Sequence, residues 1–129
     1  MVAVAGTTTA LAIEIMGGLA GLEEYTRYRL ITEPDDIAGW LEAEDEPAIN
    51  LPCADAAVVA PGYSIEISDD FARELDLEDA ADARVLLIVQ NWNDPDRVSV
   101  SVNGPIVLNT RTGRARQFLV PGVWRLSLL

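Results

Sequence analysis

The chain has 129 residues, half of them apolar and 23% charged, which suits one compact core and excludes a disordered chain. Its net charge is −12, from 21 acidic residues and nine basic ones, all arginine, so it repels the phosphates of nucleic acids and anionic membranes and attracts basic proteins. With no histidine or lysine, it lacks Ser-His-Asp and Cys-His machinery, Schiff-base chemistry and the phosphate-loop lysine.

The stretch from Met1 to Leu22 is largely apolar. It has no basic residue ahead of Arg27, as a secretory leader needs, and Glu14 and Gly17-Gly18 break it short of the ~18 uncharged residues of a membrane helix. A cytoplasmic protein is expected, with residues 1–10 as an N-terminal extension of a single domain spanning 1–129. Leu11, Ile13 and Ile15 alternate with Ala12, Glu14 and Met16, the period of a half-buried strand. Gly17 to Gly21 reads as the turn that ends it. Further strands are expected at Arg27 to Thr32 and Trp40 to Glu42. Glu42-Ala43-Glu44-Asp45-Glu46, before Pro47, reads as a solvated acidic loop. Cys53 is the single cysteine, so no internal disulfide forms, and with no base beside it a packed thiol is the better reading than a nucleophile.

Tyr63, Ile65 and Ile67 alternate with Ser64, Glu66 and Ser68 and predict another strand. A short helix is expected over Asp69 to Leu75, capped by Ser68, with Asp69 and Asp70 at the dipole's positive end and Phe71 and Leu75 one turn apart. A second short turn is possible at Leu77 to Ala83. Val85 to Val89 is apolar throughout and reads as a central strand covered on both faces. Val98, Val100 and Val102 alternate with Ser99 and Ser101, which predicts a strand with a wet serine face. Strands at Pro105 to Asn109, Ala115 to Val120 and Trp124 to Leu128 complete the pattern, with turns at Asn91 to Asp96 and Asn109 to Gly113. Residues 84–120 are expected to form a three-strand meander. The fold class is all-β, a small antiparallel β-barrel-like domain with one short helix at about residues 69–75.

The charge is uneven. Residues 1–90 have a balance of −15, whereas residues 91–129 set Asp94 and Asp96 against five arginines, a balance of +3. The densest acidic run makes Glu42, Glu44 and Asp45 the electrostatic candidates for a basic partner. Trp92, in a polar turn, is either exposed for a partner or a sugar, or folded back onto the sheet. No carboxylate spacing matches a calcium loop, and no cofactor is expected.

These motifs in order resemble the FliW family of flagellar assembly factors over roughly residues 11–120. The similarity runs through Gly18-Leu19-Ala20-Gly21-Leu22-Glu23, Trp40-Leu41-Glu42 with Pro47-Ala48-Ile49, Pro61 to Ile67, Leu75 to Asp79, and Pro105 to Thr110 with Gly113 and Gln117. Ala20 stands where the family has proline, and Leu22 where it has phenylalanine. The resemblance implies a protein antagonist without enzyme activity. Such a protein binds the RNA-binding translational regulator CsrA, away from its RNA surface, and binds flagellin in a partner switch. It also implies family-specific surface at Pro61, Tyr63 and Glu66 and at Pro105, Val107 and Asn109. A monomer without direct nucleic-acid or membrane contact is expected. The competing reading is a small carbohydrate- or protein-binding β-module that uses exposed Trp92; a carboxylate-based hydrolase is a third.

Overall fold

The structure is a computed structural model that describes residues 9–33, 38–120 and 125–127. The strands are β1 (Thr9–Ile15), β2 (Arg27–Thr32), β3 (Ala38–Ala43), β4 (Asn50–Asp55), β5 (Ala83–Gln90), β6 (Ser99–Ser101), β7 (Ile106–Asn109), β8 (Arg114–Gln117) and β9 (Arg125–Ser127). Two short helices, α1 (Ala56–Val59) and α2 (Asp69–Glu74), and a 3-10 turn at Ala80–Asp82 fill the link between β4 and β5.

Seven strands close into a barrel in the order β4-β3-β2-β1-β8-β7-β5, with β4 pairing back onto β5. Every pairing is antiparallel except β1 with β8, which run parallel through Glu14↔Arg114 and Ile15↔Ala115. The long strand β5 leaves the barrel at its end, where Val89 and Gln90 pair with β6, and β6 pairs with β9.

Alternation along the strands sorts the apolar side chains into two cores. Ile13, Ile15, Tyr28, Leu30, Leu41, Cys53, Leu86, Ile106, Leu108 and Ala115 fill the barrel interior. Ala54, Ala56, Ala60, Leu87, Val89 and Val100 form a second core on the outer face, joined by Val59, Tyr63 and Val85. Adjacent residues Leu86 and Leu87 serve opposite cores, as do Cys53 and Ala54. This is the strand covered on both faces that the apolar run at 85–89 predicts.

Two turn glycines are steric requirements. Gly18 has φ +72, and a Cβ there would stand 2.6 Å from Glu23 Cα; Gly113 has φ +81, and a Cβ would stand 2.4 Å from Ala12 O. The first locks the turn after β1, and the second lets the β7–β8 turn pass against β1.

Several expectations are corrected. Tyr63 to Ile67 keeps its alternating burial but joins no sheet; a covered face, not a hydrogen-bonded ladder, produced the period of two. Strand β4 and helix α1 went unread, because a strand buried on both faces with Pro52 in it shows no alternation. The serine face of β6 is not wet, since Ser99 is buried. Residues 84–120 form no simple meander: β6 and β7 both flank β5, and β8 follows β7. Helix α2 agrees with its expected span and cap, and the 3-10 turn falls within the second turn expected at Leu77 to Ala83.

Candidate functional site

The link between β4 and β5 wraps the outer face and, with β5 and β7, builds an open groove. Ser68 caps α2 by accepting from the Phe71 amide at 3.2 Å. Phe71 packs edge-on against Phe118 with ring centroids 5.1 Å apart, and the Arg116 guanidinium lies 4.9 Å from the Phe71 ring centre. The far end of α2 is pegged to the barrel by Asn109, whose fully buried side chain donates to Leu75 O at 2.9 Å and to Asp76 O at 3.0 Å. Asn109 Oδ1 accepts from the Arg111 amide at 2.9 Å. This lets Asp76 leave the helix with φ 56, a left-handed turn that asparagine and aspartate tolerate.

Between this link and the barrel runs an open groove of about 310 Å³. Its walls are Ile65 and Ile67 on one side and Leu77 to Ala80 on the other; Ala83, Val85 and Val107 form its floor. Val85 and Val107 sit side by side in the β5–β7 register.

The charges around α2 divide into two groups. Arginines near β8 neutralise one: Arg116 reaches Glu74 at 2.8 Å, and Arg111 reaches Asp76 at 3.5 Å and Asp82 at 3.8 Å. Asp70 pairs with Arg73 within the helix. Glu66, Asp69, Glu78 and Asp79 are exposed and form no ion pair among the described residues. Asp79 also caps the 3-10 turn, accepting from the Ala81 amide at 2.9 Å.

The expected site residues are not brought together. Glu42 lies on β3 and pairs with Arg29 at 2.8 Å; Asp45 lies 3.7 Å from Arg27. Exposed Glu44 borders a cleft shared with Arg27 and Arg114. Two of the run's four carboxylates are therefore paired with arginine and, among the described residues, Glu44 and Glu46 are not; its Ala43 is buried, so it is not wholly a solvated loop. Pro61 is exposed at a turn, and exposed Glu66 lies outside the groove, in a separate hollow with Tyr63, Val102 and Val120. Tyr63 is half-buried, its hydroxyl donating to Val102 O at 2.8 Å. Val107 and Asn109 are correctly read as strand, and Pro105 lies one residue ahead of β7; all three are buried rather than surface. They support the site from beneath, because β7 is covered by the link on one side and fills the barrel on the other. Sequence reasoning missed Leu77, Glu78, Asp79 and Val85 as one wall, floor and rim. Only the apolar-acidic alternation of Leu75 to Asp79 hinted at it.

Trp92 is 57% exposed, yet its ring meets Trp40 edge-on at 5.1 Å, so both readings of this turn hold in part. Cys53 is the packed thiol expected: burial pushes it up to about 12 from 9.0, against smaller opposing effects of the Gly39 backbone and Arg84. Among the described residues, no group of three or more potential ligands gathers to hold a metal ion, and no helix is long and apolar enough to cross a membrane.

A family profile described as FliW protein matches residues 3–124. The chain belongs to the FliW family. Flagellar assembly factor FliW of Geotalea uraniireducens (strain Rf4) is 35% identical over 112 residues, covering 85% of this chain and 68% of that protein. Flagellar assembly factor FliW of Treponema pallidum (strain Nichols) is 28% identical over 124 residues, covering 93% and 83%. A crystal structure of the flagellar assembly factor FliW superposes with a TM-score of 0.74 at 18% identity, over 90% of this chain and 81% of that one. FliW is a family of assembly factors and not a known enzyme family. Several residues that carry the FliW resemblance here are staples of the fold: Gln117 Oε1 accepts from the Ala20 amide at 2.8 Å, its Nε2 donates to Gly104 O at 3.2 Å, and Glu23 accepts from the Gly21 amide at 3.1 Å. Hydrogen bonds from Glu23's own backbone amide and then from that of Gly21 hold the Glu23 carboxyl below its usual range.

Proposed function

We propose that this FliW-family chain is a cytoplasmic, monomeric protein antagonist. It holds a basic RNA-binding regulator of the CsrA type away from its message and binds flagellin as the competing partner. The observation that carries this reading is charge. A net −12 that leaves Glu66, Asp69, Glu78 and Asp79 without arginine partners among the described residues attracts a cationic protein and repels RNA. The family's assembly-factor role supports a protein partner.

The test is calorimetry of the purified chain with the CsrA homologue and the flagellin of its own host, at 50 and 500 mM salt. Binding to the regulator that weakens about tenfold or more at high salt is the expected outcome. Competition by flagellin would complete the switch. Absence of binding to both proteins sinks the proposal. Charge reversal at Glu42, Glu44 and Asp45 together reads their share: they contact the partner if association slows more than the change in net charge alone accounts for.

The exposed face of Trp92 favours one second reading, a carbohydrate- or protein-binding module. Unchanged tryptophan fluorescence across a glycan panel disposes of its carbohydrate form.

A further inference from the structure

The groove is apolar inside and acidic at its edge, and the two properties arise separately. Ile65, Ile67, Leu77 and Val85 are only half-buried, over a floor completed by Val107. Water there is in poor contact with the walls, so an aliphatic occupant is favoured. Around α2 the fold supplies arginines to Glu74, Asp76 and Asp82 but, among the described residues, none to Glu78 and Asp79, which line the groove itself. Two unneutralised carboxylates, Glu78 and Asp79, thus lie where one flank of an occupant would lie. One wall is extended chain: among the described residues, no backbone hydrogen bond involves Ser64 to Ile67. Among the described residues their amides and carbonyls have no backbone partner, the state in which a strand-like segment can meet another backbone. The opposite wall is held by the Asn109 peg, so the groove is formed before anything enters it, which lowers the ordering cost of binding.

We infer that this groove docks a short segment of a protein partner whose aliphatic side chains are flanked by lysine or arginine. The inference deepens the proposed function and rests on its premise that the chain works by holding protein partners. Charge complementarity decides the occupant. A neutral lipid or an acidic peptide would leave the rim carboxylates facing nothing or facing like charge, and a second copy of this acidic chain would do the same.

The test uses the full chain labelled with 15N and three acetylated, amidated heptapeptides: KKLVIKK, the apolar-free KKSGSKK and the charge-reversed EELVIEE. The expected result is amide shift changes centred on Ile65, Ile67, Leu77 and Val85 with KKLVIKK, and affinity at least tenfold weaker for either control. Ala80→Trp, which fills the groove from its exposed edge, abolishes these shifts while the rest of the spectrum stays folded. Glu78→Lys with Asp79→Lys weakens KKLVIKK about tenfold. Glu44→Lys with Glu46→Lys, an equal change in net charge made on the acidic turn, changes it by less than threefold. Shifts that map elsewhere, equal binding of KKSGSKK, or equal effects of the two double reversals overturn the inference. So does a dimer that Ala80→Trp dissociates in sedimentation.

The same groove variants in the calorimetry separate the two ideas. Unchanged binding of the full-length partners sinks the groove and leaves the function. Binding of KKLVIKK in the groove, when neither full-length protein binds, sinks the function and leaves the groove.

Discussion

Asn109 does most for its size. It is completely buried, and its amide completes the C-terminal end of α2 while its carbonyl orders Arg111. Asn109→Ala strips the side-chain donor from the Leu75 carbonyl in a place water reaches poorly, and a buried polar group left unpaired costs about 1–3 kcal/mol. We expect a loss of about 2–3 kcal/mol, seen as a lower urea midpoint at unchanged slope. A loss below about 0.5 kcal/mol would show that the peg is dispensable. The sequence placed Asn109 correctly at the end of a strand and by family resemblance marked it as important, but it assigned the importance to a surface. Residue type alone does not separate an asparagine that meets a partner from one that ties down a neighbouring helix, because both uses need the same amide.

At the level of elements, α2 shows what local chemistry decides. Ser68, Asp69, Asp70 and Phe71 predict its start and its inward face, and the helix begins there with the Ser68 hydroxyl as its cap. Ser68→Ala should cost about 1 kcal/mol. It should also raise amide exchange over residues 69–75, with the barrel strands unaffected; uniform loss of protection would mean that α2 is not a separable unit. The neighbouring segment at 61–67 shows the opposite limit. Its alternation is real, but the pairing expected of it depends on where the backbone lies relative to distant strands, which a local pattern does not carry. Strand β4 fails for the same reason in reverse: Cys53 and Ala54 face two cores, so their pattern shows no face at all. The groove was illegible because its floor comes from β5 and β7 and its rim from the link, and only the tertiary fold joins them.

The absence of histidine and lysine governs how the whole molecule responds to pH. Histidine is the one side chain whose ordinary titration falls between pH 6 and 8, so stability should be nearly flat there. Above about pH 9 the balance changes. Burial raises the Cys53 thiol from 9.0 to about 12 and raises the Tyr28 and Tyr63 hydroxyls above 10.0. The native state keeps protons that the unfolded chain releases, so the stability these groups contribute is complete below pH 9 and is lost as pH rises through the folded values. Cys53 adds a downward slope of up to about 1.4 kcal/mol per pH unit, and the two tyrosines act in the same direction. Urea midpoints from pH 6 to 11 should be level and then fall; a midpoint that rises above pH 9 would contradict the burial of Cys53.

The barrel's single parallel seam joins β1 to β8, bringing Ile15 beside Ala115 across nearly the whole length of the chain. Every other barrel pairing joins strands much closer in sequence, so this contact closes the longest loop and carries the greatest entropic delay. During synthesis the seam has no partner strand until β8 leaves the ribosome. Until then the nascent chain is an open sheet whose first strand shows a bare edge, the kind of edge that invites pairing with other chains. The topology that gives the finished protein a closed barrel therefore postpones that protection until β8 has been made.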